Sequence, residues 1–449
     1  MCRLEELTEN ICRLGLHWTN WCLGISARKI TQSLTLTVGL IFFVIYWRNH
    51  SVIKKLDHNH GIESREITQL IDFNKDFIGI SRNTDINCGK IFENDKTAIR
   101  NARDLAESYK REYRMWPKKY QELARNCASF RSTRGYMDTP VNEEEAKFPI
   151  AISVLVFKEI DAFERLLRSI YRPQNVYCVH VDTKSDDSFR AAVLAIVNCF
   201  ENVFMASKSY PIWYDDPNML LADLGCMRDM LNTGVDWKYY TNLAGTDFPL
   251  RTNLEIVKIL KVFNGFNDVE GKLTSDDIWR WKEINDRVPL KLQPLKGSIH
   301  VTVNRDFAEY VMTNRTAADL LTWVHEAHYP EEIYYSTLNH NPKLGIRGSF
   351  SDYSVRKRFL GRYVVWNDDD VCHGKFVHEI CIFDLRDLPS LSKKYEMFAN
   401  KFDITDSFAF DCMEERILNR TKEEILGNTQ FNVSYYQDYI SALSEYILP

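Results

Sequence analysis

The stretch "IAISVLVFKEIDAFERLLRSIYRPQNVYCVHVD", residues 150–182, decides the fold of this chain. It opens with a short β-branched apolar run that is typical of a buried strand, and its middle part, "KEIDAFERLLRSIY", has apolar positions at helical spacing. A second apolar run, "NVYCVHVD", follows directly and is again typical of a strand. The stretch therefore predicts the order strand, helix, strand.

The same alternation continues downstream, through "NVFMAS" at 202–207, the helix-like "NMLLADLGCMRDMLNTG" at 218–234 and "WKYYTNLAG" at 237–245. It predicts an α/β fold with a mostly parallel sheet and helices on both faces. Ligands in such sheets bind beyond the carboxyl ends of the strands, so Asp182 and Asp247 are candidate site residues. Each could instead be an ordinary strand-end aspartate that caps the next turn.

An uncharged segment, "ITQSLTLTVGLIFFVIYW" at 30–47, lies between Arg28 and Lys29 on one side and Arg48 on the other. It is long enough to span a bilayer as a helix, and the polar segment before it and the lack of a small-residue cleavage site favour an uncleaved anchor over a signal peptide. The predicted organisation is a cytosolic tail at 1–29, a transmembrane signal anchor at 30–47, a lumenal stem at 48–85 and a large domain at 86–449.

The composition is that of a globular protein. The 449 residues are 45% hydrophobic and 27% charged, which is enough to bury a large core, and the formal net charge is −5. No basic run with interleaved aromatic residues occurs in the sequence, so nucleic acid is not an expected partner.

Cysteines and glycosylation sequons indicate an oxidising, lumenal compartment for the large domain. Of eleven cysteines, three precede the anchor and eight follow it, and an even number spread over a large domain suits a disulfide framework. No clustered cysteine and histidine spacing occurs in the sequence, so no zinc site is predicted. The predicted glycosylation sites are Asn314, Asn419 and Asn432.

Several common site motifs do not occur in the sequence. It has no GxGxxG after the first strand, no P-loop, no GxSxG and no HExxH, which removes support for dinucleotide binding, NTP hydrolysis and two hydrolase classes. Acidic runs could bind a divalent metal, but none forms a compact DxD at a predicted strand end, and we interpret them as solvated loops. They are Asp215-Asp216, Asp276-Asp277 and Asp368-Asp369-Asp370.

A proline-led pair of carboxylates stands in "AHYPEEIYYSTLNHNP" at 327–342. Proline is favoured in the first helical turn and acidic side chains there complement the helix dipole, so Glu331 and Glu332 could be purely structural. The competing interpretation is that one of them acts as an acid or base.

The quoted strands, together with "NLAGTDFPLRTNLEIV", "YPEEIYYSTL", "CIFDLRDLP" and "MFANKFD", carry a family resemblance. In this order they resemble the core 2/I-branching β-1,6-N-acetylglucosaminyltransferases, Golgi enzymes that branch O-glycans. The resemblance covers roughly residues 85–425. It implies a GT-A-like lumenal catalytic domain, over 86–449, that uses a UDP-sugar without a metal ion or other cofactor.

The resemblance also implies roles for individual residues. Glu332 matches the catalytic base of the family, which leaves Glu331 as a capping neighbour. On the donor side, Lys401 matches a diphosphate-binding lysine, Asp182 a uridine contact, and Val156 lies beside the base. The partner of the family lysine is an arginine, and His378 takes its position here.

On the acceptor side, Glu270, Arg280 and Trp366 match the acceptor-binding positions of the family. Two neighbouring positions depart from it, because Asp277 stands for a lysine and Asp368 for a tyrosine. The "YxSWS" segment of the family is replaced by "YDDPN" at 214–218. These departures leave the acceptor and the donor sugar open.

All eight lumenal cysteines fall at disulfide positions of the family, and its unpaired cysteine is Ala244 here. The resemblance implies one pairing out of the 105 that eight cysteines allow. It is Cys88-Cys412, Cys127-Cys199, Cys178-Cys226 and Cys372-Cys381.

The combined prediction is a single-pass type II Golgi membrane protein that transfers a sugar, with inversion and without a metal, from a UDP-sugar to the GalNAc of core 1 O-glycans in β-1,6 linkage. N-acetylglucosamine is the donor by family default, and glucose stays open. A peptide O-xylosyltransferase and an inactive relative that binds glycans are the competing functions. A homodimer formed through the stem also stays open.

Overall fold

The structure is a computed structural model that describes residues 86–108, 115–355, 357–367, 371–403 and 408–449. The chain divides into two units, 1–72 and 73–449, and every described residue belongs to the second. The predicted tail, anchor and stem lie outside the described residues. Among the helices that the structure describes, none has the length and apolar character needed to cross a membrane.

Strands are labelled in chain order. They are β1 (Ile150–Val156), β2 (Val176–Val181), β3 (Val203–Met205), β4 (Tyr239–Ala244), β5 (Asp247–Pro249), β6 (Asp268–Val269), β7 (Val301–Asn304), β8 (Arg362–Val364), β9 (Lys375–Val377), β10 (Ile380–Ile382) and β11 (Phe398–Asn400).

Helices are labelled in the same way. They are α1 (Cys88–Phe92), α2 (Lys96–Ser108), α3 (Pro117–Leu123), α4 (Cys127–Arg134), α5 (Glu143–Ala146), α6 (Ile160–Ile170), α7 (Asp187–Val197), α8 (Asn218–Leu231), α9 (Asn253–Phe263), α10 (Arg305–Thr313), α11 (Arg315–Val324), α12 (Pro330–Asn339), α13 (Leu388–Leu391), α14 (Ala409–Ile425) and α15 (Ser434–Leu443). Short 3-10 helices include Ser275–Arg280 and Lys282–Arg287.

The central sheet has six strands in the order β3-β2-β1-β4-β7-β6. The pairs β3-β2, β2-β1 and β1-β4 are parallel, which confirms the predicted α/β fold with a mostly parallel sheet. The strands β7 and β6 extend the sheet in antiparallel fashion, and the sequence pattern did not predict this part.

Alternate residues of the central strands feed two separate hydrophobic cores, because successive side chains point to opposite faces of a sheet. Ile152 and Val154 of β1 join one core with Leu166 of α6. Ala151 and Cys178 join the other core. The helices α8, α10 and α12 contribute to that second core, so α12, which carries the acidic pair, packs on the same face as α8.

A second, three-stranded sheet, β5-β11-β8, lies next to the end of β4. A hairpin of β9 and β10 precedes β11 in the chain. Its two-residue turn is His378-Glu379, and both residues have positive φ, 50° and 63°. Two-residue turns of this kind match the right-handed twist of the flanking strands. The turn therefore fixes the position of His378.

The structure contains the four disulfides that the family resemblance implies: Cys88–Cys412, Cys127–Cys199, Cys178–Cys226 and Cys372–Cys381. The first joins α1 to α14 across 324 residues of sequence, and the third joins β2 to α8. Crosslinks that close long loops restrict the unfolded chain and so stabilise the fold. The fourth joins Cys381 of β10 to Cys372, which lies just before β9.

Candidate active site

The helix α12 begins with the proline-led acidic pair. Pro330 occupies its first turn, and the N-cap residue is Tyr329, which has a φ of 54° and forms no side-chain cap bond. Asp215 fixes this entrance, because its Oδ1 accepts a hydrogen bond from the Tyr329 N–H at 2.7 Å and its Oδ2 lies 2.8 Å from His328 Nδ1. The replaced "YDDPN" segment thus contacts the start of the helix.

Glu332 lies in a partly buried cluster of charges. Its Oε2 is 3.0 Å from Arg280 Nη1 and 3.8 Å from Lys296 Nζ. Burial raises the pKa of the Glu332 carboxyl; Lys296 and Arg280 lower it, and the charges of Glu270 and Asp277 raise it further. The net effect is upward, which favours proton uptake when a hydroxyl is deprotonated next to it.

Glu331 has a different environment. Its side chain is buried, and burial, together with the nearby Glu332 and Asp215 charges, raises its pKa to about 7. Its Oε2 has no hydrogen-bond partner among the residues that the structure describes. Glu331 lies in the first turn of α12, as the capping interpretation predicts, but it is not a solvated cap.

The three predicted acceptor residues lie around Glu332. Arg280 forms the ion pair with it, and Glu270 is close enough to raise its pKa. Trp366 is 38% exposed and is held next to β10 by an isolated bridge to Ile380. The Lys296 ammonium lies 5.7 Å from the centroid of the Trp366 ring, which connects the aromatic surface to the carboxylate.

The backbone at Gly297 touches α12. Its N–H donates to the Glu332 carbonyl at 2.6 Å, and an added Cβ would lie 2.2 Å from the Glu270 carbonyl oxygen and 2.8 Å from Ser336 Cβ. Only a residue without a Cβ fits such an approach. Gly297 therefore sets the distance between the Lys296 loop and the helix that carries Glu332.

Replacing Gly297 by alanine is expected to lower the free energy of unfolding by about 1–3 kcal/mol, because the added methyl group meets backbone rather than a side chain that can move. Thermal unfolding measures the change. The control is Gly225→Ala in α8, where an added Cβ meets nothing within 4 Å. Equal melting temperatures for wild type and Gly297→Ala would contradict the close approach.

Val156 and Asp182, the residues predicted to bind the uridine, lie at the carboxyl ends of β1 and β2. The Asp182 N–H donates to the Val156 carbonyl at 2.9 Å. The buried Asp182 carboxylate accepts hydrogen bonds from the N–H groups of Lys184, at 2.7 Å, and Ile212, at 3.2 Å. Asp182 therefore stands where ligands bind in such sheets, and it also holds the loop that follows β3.

Lys401 lies at the same edge of the central sheet. The next residue, Phe402, donates its N–H to the Thr246 carbonyl at 2.8 Å, and Gly245 donates to the Leu155 carbonyl near the end of β1 at 2.9 Å. Burial lowers the pKa of the Lys401 ammonium. A partly desolvated cation of this kind is suited to an anionic ligand.

His378 and Lys401 are brought together by the β9-β10 hairpin. Lys401 Nζ donates to the carbonyl of Val377 at 2.9 Å, one residue before His378. The ring of Tyr214 lies 6.2 Å from the His378 ring and 5.2 Å from the Tyr329 ring, measured between centroids. Tyr214 thus lies between the β9-β10 hairpin and the start of α12.

The candidate site residue Asp247, which begins β5, forms contacts that hold neighbouring strands together. It is fully buried, and its carboxylate accepts from Asn400 Nδ2 at 2.6 Å and from the Ala244 N–H at 2.7 Å. Its Oδ2 also lies 3.3 Å from Arg362 Nη2. These contacts support the structural interpretation of Asp247 over a site role.

The interpretation of the acidic runs as solvated loops is wrong for Asp277, which is buried, with Arg280 Nε 3.7 Å from its Oδ1. Asp215 is exposed, and its carboxylate accepts a hydrogen bond at the entrance of α12. Asp368 lies outside the described residues. No group of three or more His, Cys, Asp or Glu side chains in the described ranges could hold a metal ion.

The sequence analysis assigned no site role to three residues near α12: Lys296, Asp215 and the buried Asp223 of α8. Asp223 accepts hydrogen bonds from Tyr335 Oη of α12, at 2.6 Å, and from Asn242 Nδ2 of β4, at 3.0 Å. It fixes the helix with Glu332 to the sheet. The available signal was Asp223 itself, a carboxylate inside the apolar part of α8, "LLADLGCM" at 220–227.

The predicted glycosylation sites lie in helical or adjoining segments. Asn419 is exposed within α14, and Asn432 is exposed just before α15. Asn314 caps α11, with its Oδ1 accepting from the Thr316 N–H at 2.8 Å. Their occupancy stays a prediction.

The chain is similar in sequence to a known enzyme family and to named relatives. The family described as "Core-2/I-Branching enzyme" matches residues 150–392. A human protein named "Beta-1,3-galactosyl-O-glycosyl-glycoprotein beta-1,6-N-acetylglucosaminyltransferase" is 36% identical over 377 residues, covering 77% of this chain and 88% of the relative. A second human protein, with the same name followed by "3", is 33% identical over 448 residues, covering 91% of this chain and 96% of the relative.

Among solved structures, the mannosyltransferase Ktr4p from S. cerevisiae matches with a TM-score of 0.25 and 10% identity, covering 54% of this chain and 82% of that chain. A likeness of this size carries no argument about the fold.

Proposed function

The chain belongs to the Core-2/I-branching enzyme family, and on that premise we propose that it is a glycosyltransferase that moves a sugar from a UDP-sugar onto the GalNAc of core 1 O-glycans in β-1,6 linkage. We further propose that the reaction inverts the anomeric centre, needs no metal ion and uses N-acetylglucosamine as the donor sugar. The observation that carries the proposal is the desolvated Glu332 carboxylate, paired with Arg280 and Lys296 beside Trp366.

In the proposed reaction Glu332 is the general base. The acceptor hydroxyl oxygen forms a bond to the anomeric carbon while the bond from that carbon to the UDP oxygen breaks, and the hydroxyl proton goes to the Glu332 carboxylate. Arg280 and Lys296 both lie at Oε2, so Oε1 is the oxygen proposed to receive the proton. Attack opposite the leaving UDP gives the inverted, β product.

The leaving diphosphate needs charge neutralisation rather than protonation. Lys401 and His378, on adjoining parts of the β9-β10 hairpin region, are the residues proposed to supply it. Preorganised donors of this kind are worth about 3–4 kcal/mol in a transition state. Asp182 and Val156, at the strand ends, are proposed to bind the uridine.

The acceptor contacts of this chain differ from the family pattern at Asp277. This carboxylate lies 3.7 Å from Arg280, so the arginine is shared between it and Glu332. Arg280, Glu270 and Trp366 are still proposed to bind the acceptor. The changed charge near them is the reason that glucose is kept as the second candidate donor.

The test of the proposed function is a transfer assay with the purified chain in EDTA. UDP-GlcNAc, UDP-Glc and UDP-Xyl are offered against a core 1 disaccharide, and UDP binding is measured in parallel. Transfer of GlcNAc in EDTA is the expected result. Preferred transfer of glucose would correct the donor, loss of all transfer in EDTA would overturn metal independence, and UDP binding without transfer would favour an inactive glycan-binding relative.

We also propose a Golgi membrane location with the catalytic domain in the lumen and one anchoring helix at 30–47. All eight cysteines after that segment are in disulfides, which form in oxidising compartments. The check is protease treatment of intact Golgi vesicles, in which the domain at 86–449 should be protected. Digestion without detergent would contradict the topology.

His378→Arg is expected to tighten donor binding. A guanidinium is always charged and offers a planar fork of donors that matches a phosphate group, which an imidazole does not. The KM for the UDP-sugar is therefore expected to fall in His378→Arg.

Initial rates over a range of UDP-sugar concentrations measure this KM. His325→Arg is the control, because His325 is exposed at the end of α11 and is not part of the β9-β10 hairpin. An unchanged KM in His378→Arg, or an equal fall in His325→Arg, would count against a phosphate contact from His378.

A further inference from the structure

Lys296 is a site residue to which the sequence pattern assigns no role. Its side chain is 11% exposed, and it lies in the segment that leads to β7. Two backbone hydrogen bonds with Lys272, at 2.8 and 3.0 Å, hold the segment on one side, and the Gly297 N–H bonded to the Glu332 carbonyl holds it on the other. The position of its ammonium is therefore fixed from two directions.

The two side-chain partners of Lys296 are both site residues. Its Nζ is 3.8 Å from Glu332 Oε2 and 5.7 Å from the Trp366 ring centroid. Burying a lysine is costly unless a carboxylate or aromatic face compensates it. The charge of Lys296 therefore lies between the proposed base, Glu332, and the proposed acceptor surface, Trp366, which favours a role in the site over a purely structural one.

The charges that face Glu332 come from four segments. Arg280 and Lys296 are the cations, while Glu270, Asp277 and the neighbouring Glu331 are the carboxyl groups. Asp277 Oδ1 lies 3.7 Å from Arg280 Nε, so Arg280 interacts with Asp277 as well as with Glu332. Among the residues that the structure describes, Lys296 forms an ion pair with Glu332 and with no second carboxylate, so Glu332 does not share this cation.

We propose that Lys296 is a positioning residue for the transfer reaction: it holds Glu332 ionised and oriented, and it closes the acceptor subsite against Trp366. The inference rests on the proposed function, because it gives Glu332 the role of the base. Lys296 compensates for Asp277, which stands where the family resemblance places a lysine.

The ammonium of Lys296 stabilises the ionised form of the Glu332 carboxyl. Burial raises the pKa of Glu332, and Lys296 is the largest of the influences that lower it. Removing the ammonium leaves Glu332 with less stabilisation of its charged form. More of the enzyme is then protonated at Glu332, and inactive as a base, at a given acid pH.

The experiment uses the full-length chain as wild type, Lys296→Met, Lys296→Arg and Lys272→Met. Lys272 is the matched control because it pairs with Lys296 through the backbone while its own side chain is exposed. The first readout is the pH at which a water-soluble carbodiimide labels half of Glu332, located by fragment mass spectrometry. This readout depends on the protonated carboxyl and not on turnover.

The expected result is a rise of about one pH unit in the half-labelling pH for Lys296→Met, with Lys296→Arg and Lys272→Met at the wild-type value. The acid limb of the kcat profile should move upward by the same amount, and the KM for the core 1 acceptor should rise. A merely structural lysine would not move the pH values.

Unchanged labelling in Lys296→Met, or an equal shift in Lys272→Met, would overturn the role of Lys296. Failure of the proposed function gives a different pattern: the wild type transfers no sugar, while the labelling experiment still reports whether Lys296 controls the charge of Glu332.

Discussion

Glu332→Gln is expected to lower kcat by about 10²–10⁴-fold, because glutamine keeps the size of the side chain and cannot take the acceptor proton. The hydrogen-bonding surroundings of α12 should survive, since the Gly297 contact uses the Glu332 backbone. Initial rates with UDP-GlcNAc and core 1 disaccharide, at the wild-type pH optimum, measure the change.

Glu331→Gln is the matched control for that experiment. It removes the neighbouring carboxyl in the same helical turn. Among the residues that the structure describes, Arg280 and Lys296 form ion pairs with Glu332 and Asp277 and none with the buried Glu331. We expect Glu331→Gln to retain most of the activity. The reverse pattern, with Glu331→Gln inactive and Glu332→Gln active, would move the base to the other carboxylate.

Lys401→Met is expected to lower kcat/KM for the UDP-sugar by about 10²–10³-fold, the loss that corresponds to one preorganised donor to developing charge. The physical reason is that Lys401 is the lysine on the proposed diphosphate side, and burial has removed part of the hydration of its ammonium group. Calorimetric titration with UDP, together with donor kinetics, measures the effect.

Lys401→Arg serves as its charge-preserving control. Arginine keeps a cation at the end of β11 but cannot reproduce the single Nζ contact to the Val377 carbonyl, so partial activity is expected. Wild-type UDP affinity in Lys401→Met would show that another group neutralises the diphosphate.

The parts of the fold with a local pattern were predictable from the sequence. The strand, helix, strand order at 150–182 became β1, α6 and β2, because apolar periodicity encodes which face of each element is buried. The antiparallel β7 and β6 were missed because they are short, and β7 pairs with β4 across about sixty residues of sequence. Short strands without a repeated helix between them give little periodic signal.

The site residues likewise fall into two groups, those marked by a local sequence pattern and those placed by contacts that are distant in sequence. Glu332 and Lys401 stand in recognisable segments, and Pro330 predicted the start of α12. Lys296 is an isolated lysine in an irregular segment, and it reaches Glu332 only because Gly297 allows the backbone to approach the helix. Asp215 likewise acquires its role from a contact more than a hundred residues away in sequence, which no local pattern reveals.

The structure of the reaction product tests the proposed reaction most directly. The chain is incubated with UDP-GlcNAc and a core 1 disaccharide, and the linkage position and anomeric configuration of the trisaccharide are read by NMR. The wild type is expected to form a single β-linked GlcNAc on O6 of the GalNAc, and Glu332→Gln is expected to form it about 10²–10⁴-fold more slowly. An α-linked product, a different linkage position, or the same product at an undiminished rate from Glu332→Gln would contradict the proposed reaction.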